Sequence, residues 1–309
     1  MKTTQSHLKL YGYVIDVTLN CTQKGIVLEK LGSKINSIAK RMIDPSLGID
    51  TGFKDLDYMT LGLHSGEMVI VGGRPAMGKT SFLLQLAWQV DAPALIISAE
   101  MSRQAIGERL ISHVSGVSMR KIKAKRTTAA DNLKAKEALE LISKKEIYIS
   151  DESRVTPEVI AGEIKALAKM GENYTSPCVF IDYLQLLSMT DFYGSGEIEV
   201  AAISRELKAV AKETTARFVV ASQLNRANEQ RENHTPRMSD LRGSGSIEQD
   251  GDIVLLLHRP SYYRIADEDP DANDDGQAFV YIAKNRNGPV GKIEYHWNKR
   301  TMTFREKSS

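Results

Sequence analysis

Hydrophobic and polar positions change rhythm several times along the chain, and each rhythm predicts an element. Met68-Val69-Ile70-Val71, Ala94–Ser98, Glu146–Ser150, Cys178–Asp182, Arg217–Ser222, Asp252–Leu257, Ala278–Ala283 and Lys292–Trp297 are apolar runs of strand length. Between them lie helical patterns over Ser81–Ala87, Ser102–Ser115, Thr127–Ser143, Thr156–Met170 and Glu197–Thr214. Continuous apolar strands such as Val179-Phe180-Ile181 suit the centre of a sheet covered on both faces. The alternation therefore predicts an α/β core with a mostly parallel central sheet flanked by helices. The last two strands, with Asn287-Gly288-Pro289 between them, read as an antiparallel hairpin at an edge.

Residues 1–45 follow a different pattern. Tyr11, Tyr13, Ile15, Val17 and Leu19 alternate as in a short strand, whereas Leu28, Leu31, Ile35, Ile38 and Met42 recur at helical spacing. That helix packs either on its own domain or on a neighbouring molecule. Asp44-Pro45-Ser46-Leu47-Gly48 breaks the pattern as a linker would. The chain thus divides into an N-terminal appendage with a linker helix, residues 1–45, and a large core domain, residues 46–309. Within the core, the acidic stretch Asp267–Asp275 reads as a solvated loop, and no repeat of fixed period is present.

Composition narrows the function classes. At 309 residues and 42% hydrophobic, the chain has room for one large core plus an appendage. Lys and Arg total 41 against 39 acids, a formal charge of +2, so any nucleic-acid contact must be local rather than a general basic coat. The cysteines, Cys21 and Cys178, form no C-x-x-C pair, which argues against a disulfide framework or a zinc site and suits a reducing cytoplasm. No apolar run approaches membrane-span length, and Met1-Lys2-Thr3-Thr4-Gln5 lacks the apolar stretch of a signal peptide, so no membrane partner is expected.

The chemistry centres on Gly73-Arg74-Pro75-Ala76-Met77-Gly78-Lys79-Thr80, a complete G-x-x-x-x-G-K-T phosphate loop between the strand beginning at Met68 and the helix opening at Ser81. Glycines let several backbone N–H groups converge at a helix N-terminus, where the helix dipole favours phosphate. Lys79 is expected to reach the β- and γ-phosphates of ATP, and the Thr80 hydroxyl to ligate Mg²⁺. Asp182 closes a buried strand, as the second Mg²⁺-directed carboxylate requires. Glu100 follows Ala94–Ser98, which in a parallel sheet puts it on the loop's rim as base for an attacking water, or else as a favourable charge at the next helix N-terminus. Gln223, at the end of Arg217–Ser222, is similarly placed to touch a γ-phosphate.

Two further clusters carry charge. Lys284 and Arg286 share one face if their strand persists to the turn, either as a solvated edge or as cations reaching across a subunit boundary. Arg242, Gly243, Ser244 and Gly245, within Asp240–Asp250, combine a cation, backbone N–H groups and a hydroxyl able to grip a nucleic-acid phosphate without reading a base. A flexible loop with a helix cap is the alternative reading.

In this order, the motifs resemble the C-terminal motor domain of DnaB-type replicative DNA helicases, within the RecA-like ATPases. The resemblance runs from about Leu47 to Arg305. Besides the phosphate loop, it rests on Gly48–Phe53, Ser98-Ala99-Glu100-Met101-Ser102, Ile181-Asp182-Tyr183-Leu184-Gln185-Leu186, Ser222–Arg226, Ser239–Arg242, Gly245–Asp250 and Lys284-Asn285-Arg286-Asn287-Gly288-Pro289-Val290-Gly291. It implies that Lys79 and Thr80 hold phosphate and Mg²⁺, that Glu100 activates water, and that Asp182 holds the metal shell. Gln223 would sense the γ-phosphate, Lys284 with Arg286 would act in the adjacent subunit's site, and Arg242 and its loop would hold single-stranded DNA in a central channel.

The implied protein is a homo-hexameric, ATP-dependent helicase moving 5′ to 3′ on single-stranded DNA in a bacterial or phage-infected cytoplasm, with a helicase loader or primase as partner. Two departures stand out. Arg242-Gly243-Ser244-Gly245 replaces the family's Arg-Glu-Ser-Gly, which loosens the backbone of the DNA loop. The roughly 45 residues before the motor are fewer than the family's collar domain needs, and the family assigns primase contact to that collar. The expectation is a collarless helicase of a phage or mobile element, or a fragment beginning near the linker helix. Two rival readings are a filament-forming recombinase-like ATPase and a nucleotide-gated loader or scaffold with little turnover. The Lys-Asn-Arg hairpin and the Ser-Ile-Glu-Gln-Asp segment argue against the first, and the filled catalytic positions against the second.

Overall fold

The computed structural model describes residues 7–10, 13–16, 48–152, 154–190, 196–241, 244–263 and 275–307. The chain divides into two compact units, Met1–Leu47 and Gly48–Ser309. In the first, strands β1 (His7–Leu10) and β2 (Tyr13–Asp16) pair antiparallel, His7 opposite Asp16. The single strand expected around Tyr11–Leu19 is therefore a hairpin whose second arm is β2. The helix expected over Leu28–Met42 and the linker at Asp44–Leu47 lie outside the described residues, as does most of the acidic loop Asp267–Asp275.

The second unit is built on a nine-stranded sheet. Its strands are β3 (Met68–Gly73), β4 (Ala94–Ser98), β5 (Ile147–Ser150), β6 (Cys178–Asp182), β7 (Arg217–Gln223), β8 (Ile253–His258), β9 (Gln277–Asn285), β10 (Gly291–Asn298) and β11 (Thr303–Glu306). The order across the sheet is β11-β10-β9-β8-β3-β7-β6-β4-β5. From β8 to β5 all neighbours are parallel, and from β8 to β11 they are antiparallel. This explains two kinds of strand. β3, β4, β6 and β8 are buried at every position, between helices on both faces, whereas β9 and β10 alternate buried and accessible positions.

The expected hairpin of β9 and β10 is present, but it is not the edge: β11 pairs outside it. Thr303–Glu306 is too short and mixed to announce a strand. It is held by tertiary contacts instead. Gln85, on the helix Lys79–Gln89, donates from Nε2 to Phe304 O (2.7 Å) and accepts at Oε1 from Phe304 N (2.9 Å). Phe82 stacks on Phe53 and meets Phe304 edge-on, so the phosphate-loop helix, the start of the unit and the antiparallel strands share one aromatic core.

Helix boundaries follow local capping chemistry. Ser102 accepts from Ala105 N before Arg103–Ser115, and Gly116 ends that helix at φ 70°. Thr128 and Asp131 form a reciprocal capping box before Ala129–Ile142, and Thr156 with Pro157 opens Pro157–Ala168. Helices Lys54–Thr60, Met119–Lys123 and Ser244–Asp250 are each too short to show a periodic face in the sequence.

Candidate active site

Parallel register assembles one rim from residues far apart in the chain. Gly73 at the end of β3 lies level with Gln223 at the end of β7, and Ser98 at the end of β4 lies level with Asp182 at the end of β6. Because β3, β7, β6 and β4 are adjacent, the phosphate loop, Gln223, Asp182 and the Ser98–Glu100 turn occupy neighbouring strand ends. This is the side on which open α/β sheets bind ligands.

The loop itself is tightly braced. Gly78 sits at φ 97°, and a Cβ there would fall 3.0 Å from both Phe304 and Trp297, so glycine is required by backbone and by packing. Arg74 donates from Nη1 to Leu224 O (2.8 Å) and from Nε and Nη2 to Glu229 Oε1 (2.8 and 2.5 Å). Pro75 and Ala76 are exposed, Met77 is buried, and the Ser81 side of the helix packs inward. Lys79 Nζ donates to Gly73 O (2.8 Å) and Arg74 O (3.1 Å). Burial lowers its ammonium to about 8, although Asp182 and Glu100 pull it upward.

Asp182 is 5% exposed. Burial raises its carboxyl, the Thr80 hydroxyl bonded to it lowers it, and Glu100 raises it further while Lys79 and Arg109 lower it. Its Oδ2 is buried without a hydrogen-bond partner. A buried carboxylate oxygen left open beside a threonine hydroxyl fits a hard divalent cation that takes most of its remaining ligands from phosphate and water. Among the described residues no group of three or more His, Cys, Asp or Glu forms a separate metal site. Glu100 is exposed at the strand end, and acts electrostatically on Lys79, Asp182 and Arg109.

Lys284 and Arg286 are not brought to this rim. β9 runs antiparallel to β8, pairing Asn285 with Ile253, which is itself level with Val69 near the start of β3. Gly73 lies four residues further along β3, about 13 Å at ~3.3 Å per residue. Lys284 Nζ instead donates to Glu248 O (2.6 Å) and Gly251 O (2.7 Å), and Arg286 Nη2 to Gln249 O (2.5 Å). Arg242 and Gly243 lie outside the described residues; Ser244 and Gly245 open the helix Ser244–Asp250 rather than extending a loop.

Three side chains around the site carried no signal of their own. Arg109, on Arg103–Ser115, faces both Asp182 and Glu100, and burial lowers its guanidinium against their pull. Its place beside buried Ile106 and Leu110 was the available hint. Buried Arg259 lies 4.6 Å over the Trp297 ring and donates to Ala76 O (3.0 Å), holding the loop from the far side. Gln185 donates to Ser222 Oγ (2.9 Å) and accepts from Gln223 N (3.1 Å), bracing the end of β7.

A phosphate loop on a central parallel strand, a buried carboxylate two strands away and an antiparallel extension beyond β8 define a RecA-like nucleotide-binding domain. Residues 48–306 match the DnaB-like helicase C terminal domain family, and the chain belongs to that family. It is 36% identical over 281 residues to "Replicative DNA helicase DnaB" of Buchnera aphidicola subsp. Schizaphis graminum, covering 87% of this chain and 59% of that protein. It thus spans about three fifths of that relative's length. Among solved structures, an ATPase domain of the same kind superposes with a TM-score of 0.83 at 32% identity, over 90% of this chain and 99% of that one. A DnaB-like replicative helicase, described with its interactions with primase, gives 0.81 at 31% identity, over 91% and 68%. Among the described residues no helix is long and apolar enough to cross a membrane.

Proposed function

We propose that this chain is the motor of an ATP-driven, ring-forming replicative DNA helicase that moves 5′ to 3′ along single-stranded DNA. The observation that carries the proposal is the split placement of its functional residues: Lys79, Thr80, Asp182 and Glu100 on one rim, Lys284 and Arg286 near the opposite end of the same sheet. A site whose own chain keeps its cations this far away is completed by a neighbour, and repeating that head-to-tail contact until it closes makes a ring.

In this reading Lys79 leaves the Gly73 and Arg74 carbonyls for the β- and γ-phosphates. Thr80 and Asp182 hold Mg²⁺, which when bound draws charge from the phosphate oxygens. Glu100 orients the attacking water and accepts its proton, with Arg109 positioning the carboxylate. Gln223 reports the γ-phosphate: its neighbour Leu224 bridges Leu241, directly before Arg242, so a shift at the strand end is passed to the DNA-contacting segment. Arg242 through Gly245 hold the phosphates of one strand, and Arg286 with Lys284 stabilises the transferring phosphoryl group of the adjacent subunit. A helicase loader or a primase is the protein partner class this reading carries.

The test is an unwinding assay on a 5′-tailed fork with ATP and Mg²⁺, paired with particle imaging on single-stranded DNA. Unwinding by closed rings supports the proposal. Filaments without unwinding would favour a recombinase, and DNA binding without turnover a loader or scaffold.

A further inference from the structure

The helix Ser244–Asp250 is held at its C-terminus by the two cations assigned above to a neighbour's phosphates. Lys284 Nζ bonds Glu248 O and Gly251 O, and Arg286 Nη2 bonds Gln249 O, so the last carbonyls of the helix, which have no partner within it, are clasped from β9. The grips differ in strength. Lys284 is half-buried and spends two of its three donors on the clasp. Arg286 is exposed, and its Nη1 lies 3.5 Å from Asp252 Oδ1. Next to the clasp, Ser204 Oγ donates to Asp250 Oδ2 (2.7 Å), and Asp252 is anchored by Lys208 and Met68 N. The surroundings are thus fixed, while the clasp itself depends on two long side chains.

We propose that Lys284 and Arg286 form a two-position clasp, which holds the helix Ser244–Asp250 until a nucleotide's phosphates on an adjoining copy of this chain draw the cations away and release it. The inference rests on the reading that these residues act in trans. It adds what their departure does in their own chain. A helix C-terminus presents about half a negative charge, whereas a triphosphate carries several full charges and accepts charge-assisted hydrogen bonds. Phosphate therefore outcompetes the carbonyls once a neighbour is docked. Arg286, the more exposed and more loosely held, leaves first, and Lys284 is the firmer hold. Nucleotide binding in one subunit thereby loosens, in the next, the helix that follows the DNA-contacting segment, while Leu224 and Leu241 tie the other end of that segment to the subunit's own site.

Backbone hydrogen exchange on the full chain tests this, with ATPγS and Mg²⁺ as the probe and mass measurement to follow assembly. In the assembled parent, ATPγS should speed exchange across residues 244–252 by about tenfold, the scale of losing one or two such hydrogen bonds. Below the assembly concentration, the same nucleotide should leave that segment unchanged while still protecting residues 73–82. Lys284→Met should show the faster exchange without nucleotide and respond little further. Unchanged protection of 244–252 in the assembled, ATPγS-bound parent would overturn the inference alone, and so would parent-like protection in Lys284→Met. No assembly under any condition would overturn the trans reading and this inference together. The parent measurements need no variant, so they decide the matter if Lys284→Met does not fold.

Discussion

Raising the pH above about 8 should weaken nucleotide binding through one side chain, Lys79. Burial lowers its ammonium from 10.5 to about 8, even with Asp182 and Glu100 pulling the other way. A bound phosphate favours the charged form, so binding must restore the proton wherever the unbound chain has lost it. Below pH 8 Lys79 is already charged and affinity is flat; above it, affinity falls. The factor is one plus ten raised to the power of pH minus eight, which is about elevenfold at pH 9, or ~1.4 kcal/mol.

The assay is titration with a fluorescent ATP analogue and Mg²⁺ from about pH 7 to 9.5 at constant ionic strength. Proton uptake is read by calorimetry in two buffers of different ionisation enthalpy. Lys79→Met and Lys79→Arg should both bind more weakly but without the slope, since the first has nothing to titrate and the second stays charged. A flat parent curve, or a slope that survives in Lys79→Met, would refute the reasoning. Stability of the unbound chain should move the opposite way, because the unfolded lysine keeps its proton to 10.5. The unfolded state then binds more protons between about pH 8 and 10.5, and Lys79's contribution to folding improves as pH rises through that window.

Four other outcomes follow from the same geometry. Glu100→Gln should retain nucleotide and lose turnover by about 10²- to 10⁴-fold, measured by steady-state ATPase; a loss of only a few-fold would remove Glu100 as the base. Arg286→Ala and Lys79→Ala chains, each nearly inactive alone, should regain part of their ATPase when mixed, because some interfaces then pair an intact loop with an intact arginine; mixed rings without any recovery would count against a shared site. Arg242→Ala should weaken single-stranded DNA binding about equally for all sequences and reduce the salt slope by roughly one, and an unchanged slope would place the phosphate contact elsewhere. Asp252→Ala should lower the stability read from urea unfolding by about 3–5 kcal/mol, since it strands the buried Lys208 ammonium and frees Met68 N, whereas a change below about 1 kcal/mol would show the pair to be dispensable.

What the sequence determined by itself was local chemistry and the order of elements. Gly73 through Thr80 must curl around phosphate whatever surrounds them, because the glycines, the lysine and the helix start act within one turn of chain. Buried parallel strands are equally legible: with both faces covered, Val179-Phe180-Ile181 and Ala94–Ser98 are continuous apolar runs, and β4 and β6 begin and end where those runs do. Caps such as Thr128 with Asp131 act over three residues and could be read in the same way.

The tertiary structure decided everything that depends on neighbours across the sheet. Strand order cannot be read from one chain's periodicity, yet it is the order β3-β7-β6-β4 that puts Gln223, Asp182 and Glu100 beside the loop. β11 exists because Gln85 and an aromatic cluster hold Phe304, not because Thr303–Glu306 has a strand pattern. Arg109 and Arg259 reached the site from helical and strand-end positions that carry no motif, since a cation's role there is set by which carboxylate or ring lies opposite. Lys284 and Arg286 show the same limit from the other side. Their spacing placed them together, but only the antiparallel register of β9 on β8 set them near the start of β3, far from their own phosphate loop and against the end of the helix Ser244–Asp250. Short-range sterics and capping act along the chain and are written in it, whereas proximity across a sheet is fixed by which strands pair, and that is settled by the packing of the whole core.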